Sequence, residues 1–131
     1  MSIALKDSGL PAATLLFDSI TEAVGVSAGC IVVSGSHGGV SSARYALQAA
    51  PRLAVFNDAG VGKDGAGIAA LAVLQAQGIA ACTVAHTSAR IGEARSTLAD
   101  GVVSHVNAGA AALGLAFGQP LRQAVAALTA A

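Results

Sequence analysis

Three polar, glycine-rich segments of this chain contain residue types that can carry out acid/base and anion-binding chemistry. They read SGSHGG (34–39), NDAGVGKDGAG (57–67) and HTSARIGEAR (86–95). Two of the chain's three histidines, His37 and His86, lie in these segments. Because imidazole exchanges protons readily near neutral pH, both histidines are predicted to be catalytic.

The first segment predicts a turn from a strand into a helix with a ligand within reach. Gly38 and Gly39 would let backbone N–H groups approach an anion at the helix start. Ser34 and Ser36 would add hydroxyl donors to the same ligand. The alternative is that His37 only caps the helix. The nucleophile-elbow pattern G-x-S-x-G does not fit, because the second glycine comes one position early.

The second segment contains a G-x-G-x-x-G pattern after a predicted strand, formed by Gly60, Gly62 and Gly65. The dinucleotide fingerprint also needs an acidic residue at the end of the next strand, where this chain has His86. Neither a dinucleotide nor any other cofactor is therefore expected. Gly60 and Gly62 are instead predicted to present amides to a substrate.

Polar side chains within this second segment are also candidates for the site. Asp58 would orient a histidine or a water molecule, and Asn57 would contact the substrate beside it. Lys63 would bind a carboxylate or phosphate as a point charge. The alternative is that Asn57 and Asp58 form an Asx turn while Lys63 and Asp64 are solvated.

The third segment places an arginine just after a predicted strand, next to hydroxyl side chains. Arg90 beside Ser88 is suited to holding a planar carboxylate through two parallel hydrogen bonds. The alternative is an ion pair from Arg90 to Glu93 or Asp58 that fixes the loop.

The remaining histidine and both cysteines favour structural roles. His105 is predicted on a helix, where a lone histidine is usually structural. Cys30 and Cys82 are predicted at strand starts as small buried apolar residues. The histidines and carboxylates form no compact ligand motif, so no metal site is expected.

Composition excludes several classes of function. The chain of 131 residues has seven basic and seven acidic residues, and only 11% of it is charged. The sequence lacks the basic cluster that would indicate nucleic-acid binding. It also lacks a run of about 18 apolar residues that could span a bilayer. The first residues do not resemble a signal peptide, and two cysteines do not suggest a disulfide scaffold. We expect one cytoplasmic domain over residues 1–131.

Short apolar runs alternate with segments of helical length. CIVVS (30–34), LAVF (53–56) and CTVA (82–85) are predicted to be strands buried on both faces, with helices over 40–50 and 65–77 between them. This βαβ pattern predicts a parallel sheet with right-handed crossovers. In such sheets, ligands bind beyond the carboxyl ends of the strands where the strand order reverses.

The secondary-structure patterns are less distinct toward the two ends of the chain. Residues 13–23 fit an edge strand, which their alternation mildly favours, or a helix capped by Ser19 and Glu22. Apolar residues at helical spacing predict a helix within 96–114, and a last helix begins near Pro120. The predicted class is α/β: a small three-layer, Rossmann-like or flavodoxin-like domain with a mostly parallel sheet of about four strands and C-terminal helices.

Together these patterns predict a small-molecule enzyme of hydrolase, isomerase or lyase type, acting on a substrate with a carboxylate, phosphate or carbonyl group. The alternative is a non-catalytic anion-binding or regulatory domain. A homo-oligomer is also expected, because apolar residues surround most of the helix predicted over 65–77. These are Ile68, Leu71, Val73 and Leu74.

Overall fold

The structure is a computed structural model that describes residues 2–4 and 10–128. Its centre is one six-stranded sheet in the order β1-β2-β3-β4-β5-β6. Strands β2 to β5 are parallel, and the edge strands β1 and β6 are antiparallel to their neighbours. The strands are β1 Ser2–Ala4, β2 Thr14–Phe17, β3 Ile31–His37, β4 Leu53–Asn57, β5 Ala80–Val84 and β6 Val103–Val106. The α/β class and the mostly parallel sheet are confirmed, with more strands than expected.

Helices cover both faces of the sheet. The α-helices are α1 Val40–Ala49, α2 Ala69–Ala76, α3 Ala94–Asp100, α4 Ala108–Ala112 and α5 Leu121–Ala126, and 3-10 segments span Ile20–Ala23 and Lys63–Ile68. Alternate strand residues supply two apolar cores, because β4 and β5 are buried on both sides. One core contains residues of α1, α2 and the first 3-10 segment, and the other contains residues of α3 and α5.

The strand order has a consequence for the site. Because neighbouring strands follow one another along the chain, the described sheet has no point at which the order reverses. The expected crevice at such a point is therefore absent from the described strands.

A loop over residues 85–93, called here the crossing loop, runs across the carboxyl edge of the sheet. It connects β5 to α3, which packs against β3 and β2. Along the way Ala89 accepts a hydrogen bond from Asn57 of β4, and the Gly92 N–H donates to Gly35 of β3. Next, the Ala94 N–H donates to Asp18, just after β2. The crossing loop thus forms a wall over the strand ends.

The prediction of one helix within 96–114 is wrong in its middle. Helix α3 ends at Asp100, residues 103–106 form strand β6, and α4 starts only after Asn107. His105 therefore lies on an edge strand and not on a helix. The helical spacing of the apolar residues was produced by a strand and a short helix that share one core.

Residues 13–23 combine both of their predicted forms. They begin as strand β2, and Ser19 and Glu22 then form a capping box at the 3-10 segment Ile20–Ala23. Strand β2 is not an edge strand, because β1 pairs with its outer side.

Helix α2 is shorter than the sequence predicted, and it is covered on more than one side. It starts at Ala69, because Asp64 and Gly65 have left-handed backbone angles. Ile68 and Val73 are partly buried and pack against the same core as Leu71 and Leu74. None of the helices in the described part of the chain has the length and apolar character that a bilayer crossing requires.

Candidate functional site

A cavity of about 560 Å³ lies under the crossing loop, at the carboxyl ends of β4 and β5. We call it the His86 cavity. Its polar lining comes from the crossing loop, the tip of β4 and helix α3, and includes Asn57, His86, Thr87, Arg90, Ser96 and Asp100. Four predicted site residues, Asn57, His86, Ser88 and Arg90, thus line one cavity.

Asp58 holds His86 at the edge of this cavity. The Asp58 residue is 4% exposed, whereas the His86 side chain is about half exposed. One carboxylate oxygen, Oδ1, accepts from the Gly60 N–H at 2.8 Å and from the His86 N–H at 3.0 Å. The same oxygen lies 3.3 Å from Nδ1 of the His86 ring. The pair joins the tips of two neighbouring strands, as the sequence suggested for an aspartate that orients a histidine.

The charge of Asp58 fixes which nitrogen of His86 carries the proton. Burial raises the pKa of Asp58, but hydrogen bonds from Gly60, Ser104 and His86 outweigh it, so the pKa is lowered overall. At neutral pH the carboxylate is therefore ionised and can only accept hydrogen bonds. An ionised carboxylate beside Nδ1 favours the tautomer of His86 that carries its hydrogen on Nδ1. In that tautomer the lone pair is on Nε2, which has no partner among the described residues.

Ser104 was not predicted from the sequence, although its hydroxyl helps to lower the pKa of Asp58. Its Oγ lies 2.8 Å from Oγ1 of Thr83, which is fully buried on β5. The register between β5 and β6 shifts between Thr83 and Val84. Such bulges re-aim side chains, and no sequence pattern of this chain identified the strand that contains it.

Arg90 lines the His86 cavity and is exposed to solvent. Within residues 10–128 its guanidinium makes neither of the predicted ion pairs, with Glu93 or with Asp58. The Arg90 backbone is fixed instead, because its N–H donates to the hydroxyl of Ser96 at 2.9 Å. That hydroxyl donates in turn to Asp100 at 3.2 Å. Ser96 and Asp100 were missed because they lie on α3, which the sequence did not place near the strand ends.

His37 lies in a different place from His86. It lines a second concavity of about 420 Å³, called here the His37 groove, on the other side of Ala59. Its Nδ1 accepts a hydrogen bond from the Gly39 N–H at 3.1 Å. Nδ1 must therefore lack a hydrogen, and the neutral ring carries its proton on Nε2. This contact engages Nδ1 within the turn before α1, whose N-cap residue Gly39 has no side-chain cap bond, and His37 lies apart from the Asp58–His86 pair.

The hydroxyls and amides expected around His37 are engaged within the fold. Ser34 is fully buried and donates to the Val55 carbonyl, while the Ser36 hydroxyl accepts from the Ile20 N–H. The Gly38 N–H donates to the Asn57 carbonyl. With the Gly39 N–H bound to His37, these groups do not converge on one ligand.

The loop over 57–67 is also internally bonded. Asn57 is buried and forms the Asx turn, because its Oδ1 accepts from the Ala59 N–H at 2.8 Å. The Gly60 N–H donates to Asp58, and the Gly62 N–H donates to the Gly60 carbonyl. These amides stabilise the loop and are occupied, so they do not form a ready anion site.

Lys63 and Ser88 differ in their surroundings. Lys63 is exposed at the start of the second 3-10 segment and does not line the His86 cavity. Ser88 does line it, but its Oγ donates to the Ala85 carbonyl and accepts from the Val102 N–H. Ser88 therefore fixes the start of the crossing loop against the segment before β6.

The cysteines and carboxylates within the described part of the chain form no further site. Cys30 and Cys82 are both free, and burial raises the pKa of the Cys82 thiol to about 12. Cys82 lies in the middle of β5 and not at its start. Among the described residues, no cluster of three or more His, Cys, Asp or Glu side chains could hold a metal ion.

Comparison of this chain with protein-family models, with curated proteins and with solved structures found no match. Within the chain, Asp58 contacts His86, and His86 lines the same cavity as Arg90.

Proposed function

We propose that the chain is a small-molecule enzyme in which His86, oriented by Asp58, transfers a proton to or from a substrate whose anionic group is bound by Arg90. The observation that carries the proposal is the 3.3 Å contact between Asp58 Oδ1 and His86 Nδ1. Because this contact occupies Nδ1, it leaves Nε2 as the nitrogen that can accept a proton. Arg90 takes the anion-binding role that the sequence suggested for the glycine amides.

A base and an arginine that line one cavity suit hydrolase, isomerase and lyase chemistry. A base can remove a proton next to a carbonyl group, and a nearby cation stabilises the negative charge that develops. The same base can activate water for attack on an ester or a phosphate ester. The substrate is accordingly a small molecule with a carboxylate, phosphate or carbonyl group. A non-catalytic anion-binding domain would use Arg90 in the same way but would not need the Asp58–His86 pair.

Proton NMR in D₂O tests this proposal for several types of reaction at once. The protein is incubated with small carboxylates, phosphate esters and carbonyl compounds, and spectra report deuterium exchange, elimination or hydrolysis. We expect turnover of at least one compound, and a fall of about 10²- to 10⁴-fold in His86→Gln, as is usual when a general base is removed.

Arg44→Gln provides the control. Arg44 is exposed on α1 and lines neither the His86 cavity nor the His37 groove, so its substitution should leave turnover unchanged. Equal activity in His86→Gln and the unmodified protein would refute the proposal. Binding that depends on Arg90, without turnover of any compound, would instead favour the non-catalytic alternative.

A homo-oligomer in the cytoplasm is the second part of the proposal. Ile68 and Val73 pack partly against the core, so they support it less than the sequence suggested. Support comes instead from Phe117, which is 81% exposed, and Val26, which is 64% exposed. The two free cysteines fit a reducing compartment.

A further inference from the structure

The His37 groove is an apolar concavity beside the proposed site. Six of its nine lining residues are glycine or alanine, and Val40 and Val61 add two apolar side chains. The imidazole ring of His37 contributes polar nitrogen atoms to the lining. A surface of this kind favours an apolar group over a charged one.

Small residues at fixed positions create the shape of this groove. A Cβ atom at Gly67 would collide with the Asp58 carbonyl oxygen, and one at Gly39 would lie 2.6 Å from His37 Nδ1. Glycine is therefore required at Gly67, where the close contact is with backbone, whereas a side chain at Gly39 would displace the His37 ring. Gly67 also places the groove wall against the backbone of Asp58.

The groove and the His86 cavity are neighbours separated by one residue. Ala59 lines both, and it follows Asp58 directly in the chain. The next residue, Gly60, lies against the His86 ring, because a Cβ atom there would be 3.6 Å from it. A ligand that passes Ala59 would reach from the His86 cavity into the His37 groove.

The loop between the two concavities holds unfavourable backbone angles. Ala59, Val61 and Asp64 all have positive φ, at 52°, 67° and 56°. For a β-branched residue such as Val61 this is a true outlier, and strain of this kind is concentrated at ligand sites. The strain supports a binding role for the surface that Ala59 and Val61 share.

We propose that the His37 groove binds the aliphatic tail of a ligand whose carboxylate is held by Arg90 in the His86 cavity. The ligand class is then a short-chain aliphatic carboxylic acid or a derivative of one. This inference rests on the anion-binding part of the proposed function, but it does not depend on proton transfer by His86.

Straight-chain carboxylates from acetate to octanoate are the probes for this proposal. Amide NMR titration of the full chain gives both the affinity and the location of each probe. Each buried methylene should raise affinity by about twofold to fourfold until the groove is full. Amides of Arg90 and Ile91 should shift with every probe, whereas those of Gly62 and Ala66 should shift only with the longer ones.

Two variants separate the head-group and tail contacts. Ala66 is exposed and lines the groove, so Ala66→Phe should fill it and remove the dependence on chain length while leaving acetate affinity unchanged. Arg90→Gln should weaken every probe by the same factor. Ala112→Phe is the control, because Ala112 is exposed on α4 and lines neither concavity.

Several results would overturn the inference. These are equal affinity for acetate and octanoate, no binding of any probe, or a length dependence that persists in Ala66→Phe. The proposed function can fail separately. If affinity rises with chain length but His86→Gln keeps full turnover, the groove assignment stands and the proton-transfer assignment falls. If turnover depends on His86 but affinity does not depend on chain length, the proton-transfer assignment stands and the groove assignment falls.

Discussion

His86 and His37 show how one residue type acquires two roles through the nitrogen that is hydrogen-bonded. At His86 an ionised carboxylate lies beside Nδ1, so this nitrogen donates and Nε2 keeps the lone pair. At His37 a backbone N–H points at Nδ1, so this nitrogen accepts. Both histidines follow predicted strands and could be identified from the sequence. Their roles could not, because a tautomer depends on a partner that only the fold brings near.

Other residues of the site could be predicted only in part. Asp58 and Arg90 were identifiable because they follow apolar runs that end at the same edge of a parallel sheet. Ser96 and Ser104 were not, because the crossing loop and a bulge between β5 and β6 bring them to that edge. Neither feature leaves a periodic pattern in the sequence.

Asp58→Asn should change how stability depends on pH. The pKa of Asp58 is lowered in the folded protein. Its ionised form therefore stabilises the fold in full when the pH is above the ordinary carboxyl pKa of about 4. This stabilisation is lost as the pH falls through the folded-state pKa. We expect the variant to lose about 1–3 kcal/mol at pH 7, because hydrogen bonds to a charged group are weakened. By pH 3 the difference should become smaller, as measured by urea unfolding.

Asp64→Asn is the matched control for this experiment. Asp64 is exposed and has a left-handed backbone, which asparagine tolerates well. Its substitution should alter stability by less than about 0.5 kcal/mol at either pH. An Asp58→Asn deficit that is the same at pH 7 and pH 3 would contradict the assignment of an ionised Asp58.

Arg90→Lys should weaken the binding of small carboxylates by about tenfold, because an ammonium group cannot form two parallel hydrogen bonds to a planar anion. Amide NMR titration with butyrate measures the effect. Arg95→Lys is the control, since Arg95 is exposed on α3 and does not line the His86 cavity. If both variants bind equally well, Arg90 does not hold the anion.

Asn107 is the residue that separates strand β6 from helix α4. Its Oδ1 accepts from the Ala81 and Ala110 N–H groups, and its Nδ2 donates to the carbonyls of Leu71 and Ile79. One side chain thereby joins α2, β5 and α4. The sequence predicted a helix across Asn107 because the apolar residues around it recur at helical spacing. An asparagine after a possible strand is also a capping signal, which would have placed the boundary correctly.

Asn107→Ala should destabilise the protein by about 2–4 kcal/mol, because it removes a helix cap and leaves buried backbone groups unpaired. Gln75→Ala is a matched control, since Gln75 accepts from the Gly109 N–H of the same helix but is exposed. The control should cost less than about 1 kcal/mol. The free energy of unfolding is measured with urea for both variants. If both lose a similar amount, the burial of Asn107 does not explain its contribution to stability.

The fold as a whole was predictable where strands are buried on both faces, and less so at the sheet edges. Strands β3, β4 and β5 contain continuous apolar runs that identify them. The edge strand β6 has partly exposed and polar positions, so its pattern resembles a helix as much as a strand. The strand order could not be read from the sequence either, because parallel strands joined by helices are compatible with several orders.

The proposed homo-oligomer is tested on the whole molecule. Size exclusion with light scattering at micromolar concentration should give a mass that is a multiple of 12.6 kDa. Phe117→Ser should then shift the equilibrium toward the monomer, because it removes the most exposed large apolar side chain among the described residues. A monodisperse species at the mass of one chain would contradict the proposal.

The tautomer of His86 is the most direct test of the central claim that Asp58 prepares this residue for proton transfer. Long-range ¹H–¹⁵N NMR distinguishes protonated from unprotonated ring nitrogens when it is recorded at a pH at which the imidazole rings are neutral. His86→Gln and His37→Gln assign the signals. We predict a hydrogen on Nδ1 of His86 and on Nε2 of His37 in the same spectrum, because their Nδ1 atoms face an acceptor and a donor, respectively. A hydrogen on Nε2 of His86 would contradict the account.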